Sequence, residues 1–362
     1  MSPGEKAKSE RRRDTRLRFE QWARNPLCTA NGISAVHGVS MAEVAKREGL
    51  KPSFGQSPFA IARGQTFERS LFRNSGESLR EALVASGVLP EGAQGFRDFR
   101  LTRNGGPYRN LDQALEATVE FLRAVGQART KKEREALPAL LAGPVVRIPG
   151  GIMLPEAILV IDVLVLRTDR ERPEFIVGEI KTYPDRAGYT DPGELATGRA
   201  QAGVYVHGLR LVLADLQLGD RIVVSSEGFL VLTRPGFSRP SVRAGESLEY
   251  QARRAERGFE RLREIAREMG GSPEPEVVIR RVLEADTSYC EACLSFCDRS
   301  PGCYRAALKR GDATVLGDEA PQFLGATGLY RALELLGGAE PSTAAEKDLS
   351  RRLQELRTKR LK

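Results

Sequence analysis

The sequence predicts an α/β protein: a mixed central sheet flanked by helices, with helical additions at both ends. Three observations predict it. Helical patterning fills much of the first 142 residues. Two short β-branched runs follow, Ile158-Leu159-Val160-Ile161-Asp162-Val163-Leu164-Val165-Leu166 and Glu174-Phe175-Ile176-Val177-Gly178-Glu179-Ile180-Lys181, parted by a polar break at 167–173. Their length and the turn residues at their bounds mark buried strands. Helical patterning then returns at 194–209 and 246–268.

Composition bounds the rest. A chain of 362 residues with 41% apolar content has room for a real core, in one large or two ordinary domains. No run of 18 apolar residues exists, so no membrane span is expected. The opening Met1-Ser2-Pro3-Gly4-Glu5-Lys6 lacks the apolar core of a signal peptide. The expectation is a cytoplasmic protein, whose five cysteines stay reduced and are not read as disulfides. A net charge of +8 suits a polyanionic partner.

Residues 5–24 are dense in charge, include Arg11-Arg12-Arg13, and take on a helical pattern through Leu17, Phe19 and Trp22. Asn25-Pro26-Leu27-Cys28 breaks that pattern, and His37 is expected in a loop before a short helix at 41–48. The spacing of Ile61, Phe67, Leu71 and Phe72 predicts a helix over 58–73. Further helices are predicted at 77–87, 110–127 (with Leu111, Leu115, Val119, Leu122 and Val125 in a stripe) and 131–142. A strand at 144–149 joins the Ile158 run through Gly150-Gly151. After the 194–209 helix, where His207 is expected to pack on the sheet, 221–225 and 228–233 read as a β-hairpin across Ser226-Glu227. A basic helix at 246–268, a helix at 276–285, the remaining cysteines and a basic tail (Arg351, Arg352, Lys359, Arg360, Lys362) complete the chain. The expected divisions are 1–57, 58–245, 246–317 and 318–362.

The chemistry gathers in the two strands. A carboxylate inside a buried strand is costly unless paired or bound to a metal. Asp162 and Glu179 are two such groups, and alternation puts Glu179 and Lys181 on one strand face. Hard oxygen ligands of this kind hold Mg²⁺ or Mn²⁺, which polarises a phosphate and acidifies water. A lysine beside them orients that water or offsets developing charge. The plainer alternative is an ion pair closing a strand. Farther on, Gln201 and Tyr205, four residues apart, share one helical face.

Asp162, Glu179-Ile180-Lys181 and Gln201…Tyr205, in this order, resemble the D…ExK…QxxxY pattern of the RecB-like branch of the PD-(D/E)xK nuclease superfamily. The proline of the family name does not precede Asp162. The resemblance implies a restriction-endonuclease-like core in which Asp162 and Glu179 hold Mg²⁺ or Mn²⁺ and Lys181 assists the attacking water. It also implies that Gln201 contacts the active site while Tyr205 packs beside it or touches DNA. Such nucleases carry a metal-binding histidine on an upstream helix, after a small-residue turn. Here Gly64 precedes Glu68, and a carboxylate suits a hard cation at least as well. The implied activity is metal-dependent DNA cleavage, exonuclease-like on single strands or duplex ends, in DNA repair or phage defence. No Walker A signature is present, so ATPase activity would come from a helicase or another partner subunit. Two alternatives remain open: a catalytically silent DNA-binding module of the same fold, and a restriction-type endonuclease.

Cys290, Cys293, Cys297 and Cys303 fall within fourteen residues, which in a reduced protein points to a metal centre. Zinc would take these four tetrahedrally. An iron–sulfur cluster tolerates a thiolate from far away, here Cys28. One cysteine before the core and a C-x2-C plus C-x5-C group after it resemble the iron–sulfur RecB-like nucleases, among them the CRISPR-associated exonucleases. That likeness implies a [4Fe–4S] cluster on Cys28 and three of the later four. Cys293 or Cys297, inside the loop bounded by Cys290 and Cys303, is the expected spare.

Overall fold

The computed structural model describes residues 21–52, 58–102, 104–149, 158–236, 239–270, 274–290, 293–294, 296–317 and 319–360. The basic run at 11–13, the glycine turn at 150–151 and the side chain of Ile61 lie outside that description. The first helices are α1 (Thr29–His37) and α2 (Met41–Arg47), the latter started by a capping box between Ser40 and Glu43. His37 thus ends a helix rather than sitting in a loop. Next come α3 (Pro58–Leu71), α4 (Glu77–Ala85), β1 (Phe96–Asp98), α5 (Leu111–Gln127) and the short α6 (Lys131–Glu135). Asn110 caps α5 by accepting from Gln113 N–H at 3.0 Å.

The strands that position the site are β2 (Leu140–Ala142), β3 (Val145–Arg147), β4 (Ile158–Val160), β5 (Val163–Arg167) and β6 (Glu174–Pro184). The helix α7 (Pro192–Asp215) then crosses them, followed by β7 (Val223–Val224), β8 (Glu227–Thr233) and β9 (Ser241–Ser247). The described residues continue with α8 (Glu249–Met269), α9 (Pro275–Glu284), α10 (Ser300–Arg310), α11 (Glu319–Leu324), α12 (Leu329–Leu336) and α13 (Ala344–Arg360).

Two units divide the chain: Met1–Ala23 with Gln56–Ser272, and Arg24–Gly55 with Pro273–Lys362. The first 57 residues are therefore shared between units, and α8 stays with the sheet rather than opening a new region at 246. In the first unit a seven-stranded mixed sheet runs β1-β2-β5-β6-β8-β9, with β7 also paired to β6. β3 and β4 form a separate two-stranded sheet. Alternation sorts the sheet's side chains onto two helical layers. Val163, Val165, Ile180, Phe229 and Val231 pack with Leu71 of α3 and with Leu79 and Leu83 of α4. Leu230, Leu232 and Tyr183 point the other way, onto Leu195 of α7.

Several strands differ from expectation. β2 lies within the stretch expected to be helix to residue 142, because Pro138 stops that helix and Leu140–Ala142 is claimed by β1 and β5. The hairpin across Ser226-Glu227 is absent: β7 and β8 both run parallel to β6, and the antiparallel partner of β8 is β9. The edge strand β9 was not expected at all.

In the second unit α9 packs on α1 and α2, burying Val278, Ile279 and Val282. Arg299, 7% exposed, reaches Glu48 with two nitrogens (3.0 and 3.1 Å) and donates to the carbonyls of Val282 and Leu283. A second apolar cluster joins Ala307 of α10 to Val315 and Leu329, and a third joins Ala332 and Leu335 of α12 to Leu349 of α13. Among the described residues no helix is long and apolar enough to cross a membrane.

Candidate active site and thiol centre

Asp162 sits where one strand bends into two. The β3–β4 and β2–β5 pairs share a register, with Val145 opposite Val160 and Ala142 opposite Val163, so 158–167 is a single run interrupted at Ile161-Asp162. Opposite the interruption stand Gly143 and Pro144. Pro144 has no N–H for the ladder. Gly143 takes a φ of 58°, in the left-handed region, and a Cβ there would lie 2.7 Å from Arg100 Cγ. Two backbone bonds bridge the gap: Ile161 N–H to Pro144 O at 3.0 Å and Gly143 N–H to Asp162 O at 3.1 Å. A run expected to be one continuous strand is thus bent at its carboxylate.

The β5–β6 register pairs Val163 with Gly178, so one step on, Asp162 faces Glu179. Asp162 Oδ2 accepts from Ile180 N–H at 3.0 Å, which fixes the carboxylate at the edge of β6. Only glycine fits at 178, since a Cβ would lie 2.2 Å from Phe229 Cζ and 2.7 Å from Val163 Cγ1. Glu179 is 1% exposed, and Lys181 Nζ lies 2.6 Å from its Oε1. Burial pulls the Lys181 pKa down, but the carboxylates of Glu179 and Asp162 outweigh it and hold the ammonium well above its ordinary value. The structure therefore brings Asp162, Glu179 and Lys181 together.

α7 covers this face. Asp191 starts it by accepting from Gly193 N–H (2.9 Å) and Glu194 N–H (3.1 Å), with Pro192 in the first turn. Leu230, opposite Glu179 in the β6–β8 register, meets Leu195 and is 3.2 Å from where a Cβ on Gly198 would sit. Gln201, half-buried one turn beyond Gly198, and Tyr205, 4% exposed, follow along the helix. His207 packs edge-on against Phe259 of α8 (centroids 5.1 Å apart) instead of on the sheet, and burial lowers its pKa.

Glu68, on α3, lies beside Arg100. α3 packs on the opposite sheet face through Phe67 and Leu71. The Glu68 carboxylate is gripped by Arg100 (2.6 Å), whose guanidinium also takes Asp98 (2.7 Å) and stacks over Phe72. Sequence reading missed Arg100, although Asp98-Phe99-Arg100 has the spacing of a local carboxylate–guanidinium clasp. It also missed Arg243, opposite Leu230 and so on the Glu179 face, which bonds Glu246 (3.2 Å) and Gly188 O (3.0 Å).

The cysteines meet in the second unit. Cys28, at the start of α1, joins Cys293, Cys297 and Cys303 around a cavity of about 20 Å³, also lined by Asn25 and Arg299. Burial pushes the Cys297 thiol up to about 12 and Cys303 to about 11, and raises Cys28 as well. Asn25 Nδ2 donates to Cys293 Sγ (3.2 Å) and to Ser288 O (2.6 Å). Cys290 does not line the cavity; its sulfur stands 3.7 Å from Cys293 Sγ. Cys293 and Cys297, the expected spares, both line the cavity. Among the described residues no group of three or more His, Cys, Asp or Glu is already drawn up as a metal-holding set. Comparison with family models, curated proteins and solved structures gave no match.

Proposed function

We propose that the chain is a metal-dependent deoxyribonuclease of restriction-endonuclease-like, RecB-like type. The observation that carries this reading is the convergence of Asp162, Glu179 and Lys181 at a strand bend. A buried carboxylate facing a second one is costly unless a cation is shared between them, and the donor set is all hard oxygen, as Mg²⁺ or Mn²⁺ requires. Such an ion would supply Lewis-acid stabilisation of the scissile phosphate. Asp162 and Glu179 would hold it. Lys181, kept protonated by those carboxylates, would donate from Nζ to oxygen near the phosphorus. Gln201 and Tyr205 would line the site from α7. The net charge of +8 suits DNA, and a partner such as a helicase would supply any ATP-driven step.

The thiols of Cys28, Cys293, Cys297 and Cys303 fit a metal centre by number and softness. Four thiolates suit a [4Fe–4S] cluster. A single Zn²⁺ on the same four thiolates is the second reading, since they are also the soft donor set that tetrahedral zinc takes. Either centre belongs to a reducing, cytoplasmic setting.

The test is cleavage of end-labelled single- and double-stranded DNA with Mn²⁺, Mg²⁺ or EDTA. Cleavage in Mn²⁺, its loss in EDTA, and its loss in Asp162→Ala with DNA affinity retained are the expected results, because phosphate contacts elsewhere dominate affinity. A wild type that binds DNA but cuts no form of it would make the chain a binding module. Internal cuts at one sequence would point to a restriction-type enzyme.

A further inference from the structure

Five cysteines serve a centre that needs four. The fifth is not remote: Cys290 Sγ lies 3.7 Å from Cys293 Sγ. Cys293 N–H donates to Cys290 O at 2.9 Å, and Cys290 N–H approaches Cys293 Sγ at 3.4 Å. A disulfide needs the sulfurs at ~2.05 Å, so from 3.7 Å the two must close by about 1.7 Å. The two thiols also differ in access. Cys293 is 6% exposed and aimed at the cavity, whereas Cys290 is half-buried.

We propose that Cys290 and Cys293 form a reversible disulfide that withdraws Cys293 from the cavity, so that metal loading of this unit responds to hydroperoxides. Cys290, the more accessible thiol, attacks the peroxide and becomes a sulfenic acid, releasing one water. The Cys293 sulfur then displaces hydroxide from that sulfenic acid, forming the S–S bond, and the hydroxide leaves with the thiol proton as a second water. Two thiols lose two electrons and two protons, and the peroxide is reduced to two waters. Three thiols remain around the cavity, too few for a four-thiolate site, and binding energy lost there is folding energy lost. A dithiol reductant reverses the step. The release of metal rests on the metal reading given above; the disulfide does not.

The experiment uses the full chain purified without oxygen, with and without hydrogen peroxide. Metal is measured by mass spectrometry, thiols by alkylation under denaturing conditions, and cross-links by peptide mapping. Peroxide is expected to lower the alkylatable thiols from five to three, to link Cys290 to Cys293, and to release metal until reductant is added. Cys290→Ser is expected to hold as much metal as wild type and to keep it through the same exposure, whereas Cys293→Ser loads little. If Cys290→Ser loads as poorly as Cys293→Ser, Cys290 is itself a ligand and the proposal fails. A peroxide-treated wild type whose links fall elsewhere overturns it too. Wild type without bound metal would remove the metal reading and the release step, while the peptide map would still decide the disulfide.

Discussion

Lys181 and Glu179 illustrate how a buried pair is tied to function at the scale of single residues. Their 2.6 Å contact compensates a carboxylate that is 1% exposed. Lys181→Met leaves that carboxylate buried, which costs about 3–5 kcal/mol and is read as a lower urea midpoint. The double variant Lys181→Met/Glu179→Gln should recover much of the loss, since the isolated charge is gone. If the carboxylates hold a cation, Mg²⁺ should raise the midpoint of Lys181→Met more than that of wild type. A midpoint in Lys181→Met equal to wild type would mean that the pair carries no buried charge. The sign with pH follows from the raised lysine pKa. Stability from the pair is complete below the ordinary lysine value and fades only as pH rises through the higher folded one. Wild type should therefore lose this contribution only in strong alkali.

At the scale of elements, α7 and α8 are held by Glu249 in the first turn of α8. Hydrogen bonds from Ser226, Arg253 and Arg210 keep its carboxyl down at about 2. A depressed carboxyl contributes stability above its unfolded pKa of about 4.3 and loses it as pH falls toward the folded value. Glu249→Gln should therefore flatten the fall in stability between pH 4 and pH 2, as measured by urea unfolding. The side chain is 37% exposed, so the effect should stay below about 1 kcal/mol. Asp191→Ala, which removes the cap of α7, should cost about 1 kcal/mol and loosen the helix that presents Gln201 and Tyr205. The strands β5 and β6 were legible because both are apolar runs buried on two faces, and alternation alone placed Glu179 beside Lys181. β9 was illegible because Ser241-Val242-Arg243-Ala244-Gly245-Glu246-Ser247 is a half-polar edge strand with no periodic apolar face. β7 and β8 looked like a hairpin because local turn chemistry cannot reveal that both would be taken by β6. The Glu68–Arg100 pair was hidden for a similar reason: it joins a helix to a loop 32 residues away.

At the scale of the molecule, the second unit is built from two stretches separated in sequence by nearly the whole first unit. A metal on Cys28, Cys293, Cys297 and Cys303 would join those stretches covalently in effect, and its binding energy would add to their folding. Cys28→Ser, or treatment with a strong chelator, should speed hydrogen exchange in α1 and α9 first, because those helices pack on one another beside the cavity. Exchange unchanged in both helices would show that the thiols carry no structural metal. The divided unit also has a history during synthesis. At about 5–20 residues per second, Cys28 is made roughly 12–50 s before α9 begins at Pro275. Throughout that interval Ile33 and Val36 of α1, buried in the finished protein, have no α9 to cover them. A nascent chain of this design carries that apolar surface uncovered until α9 arrives, and a chain stalled before Cys293 lacks one of the thiols of the proposed centre. Completion of the thiol set would then mark that translation has passed residue 303.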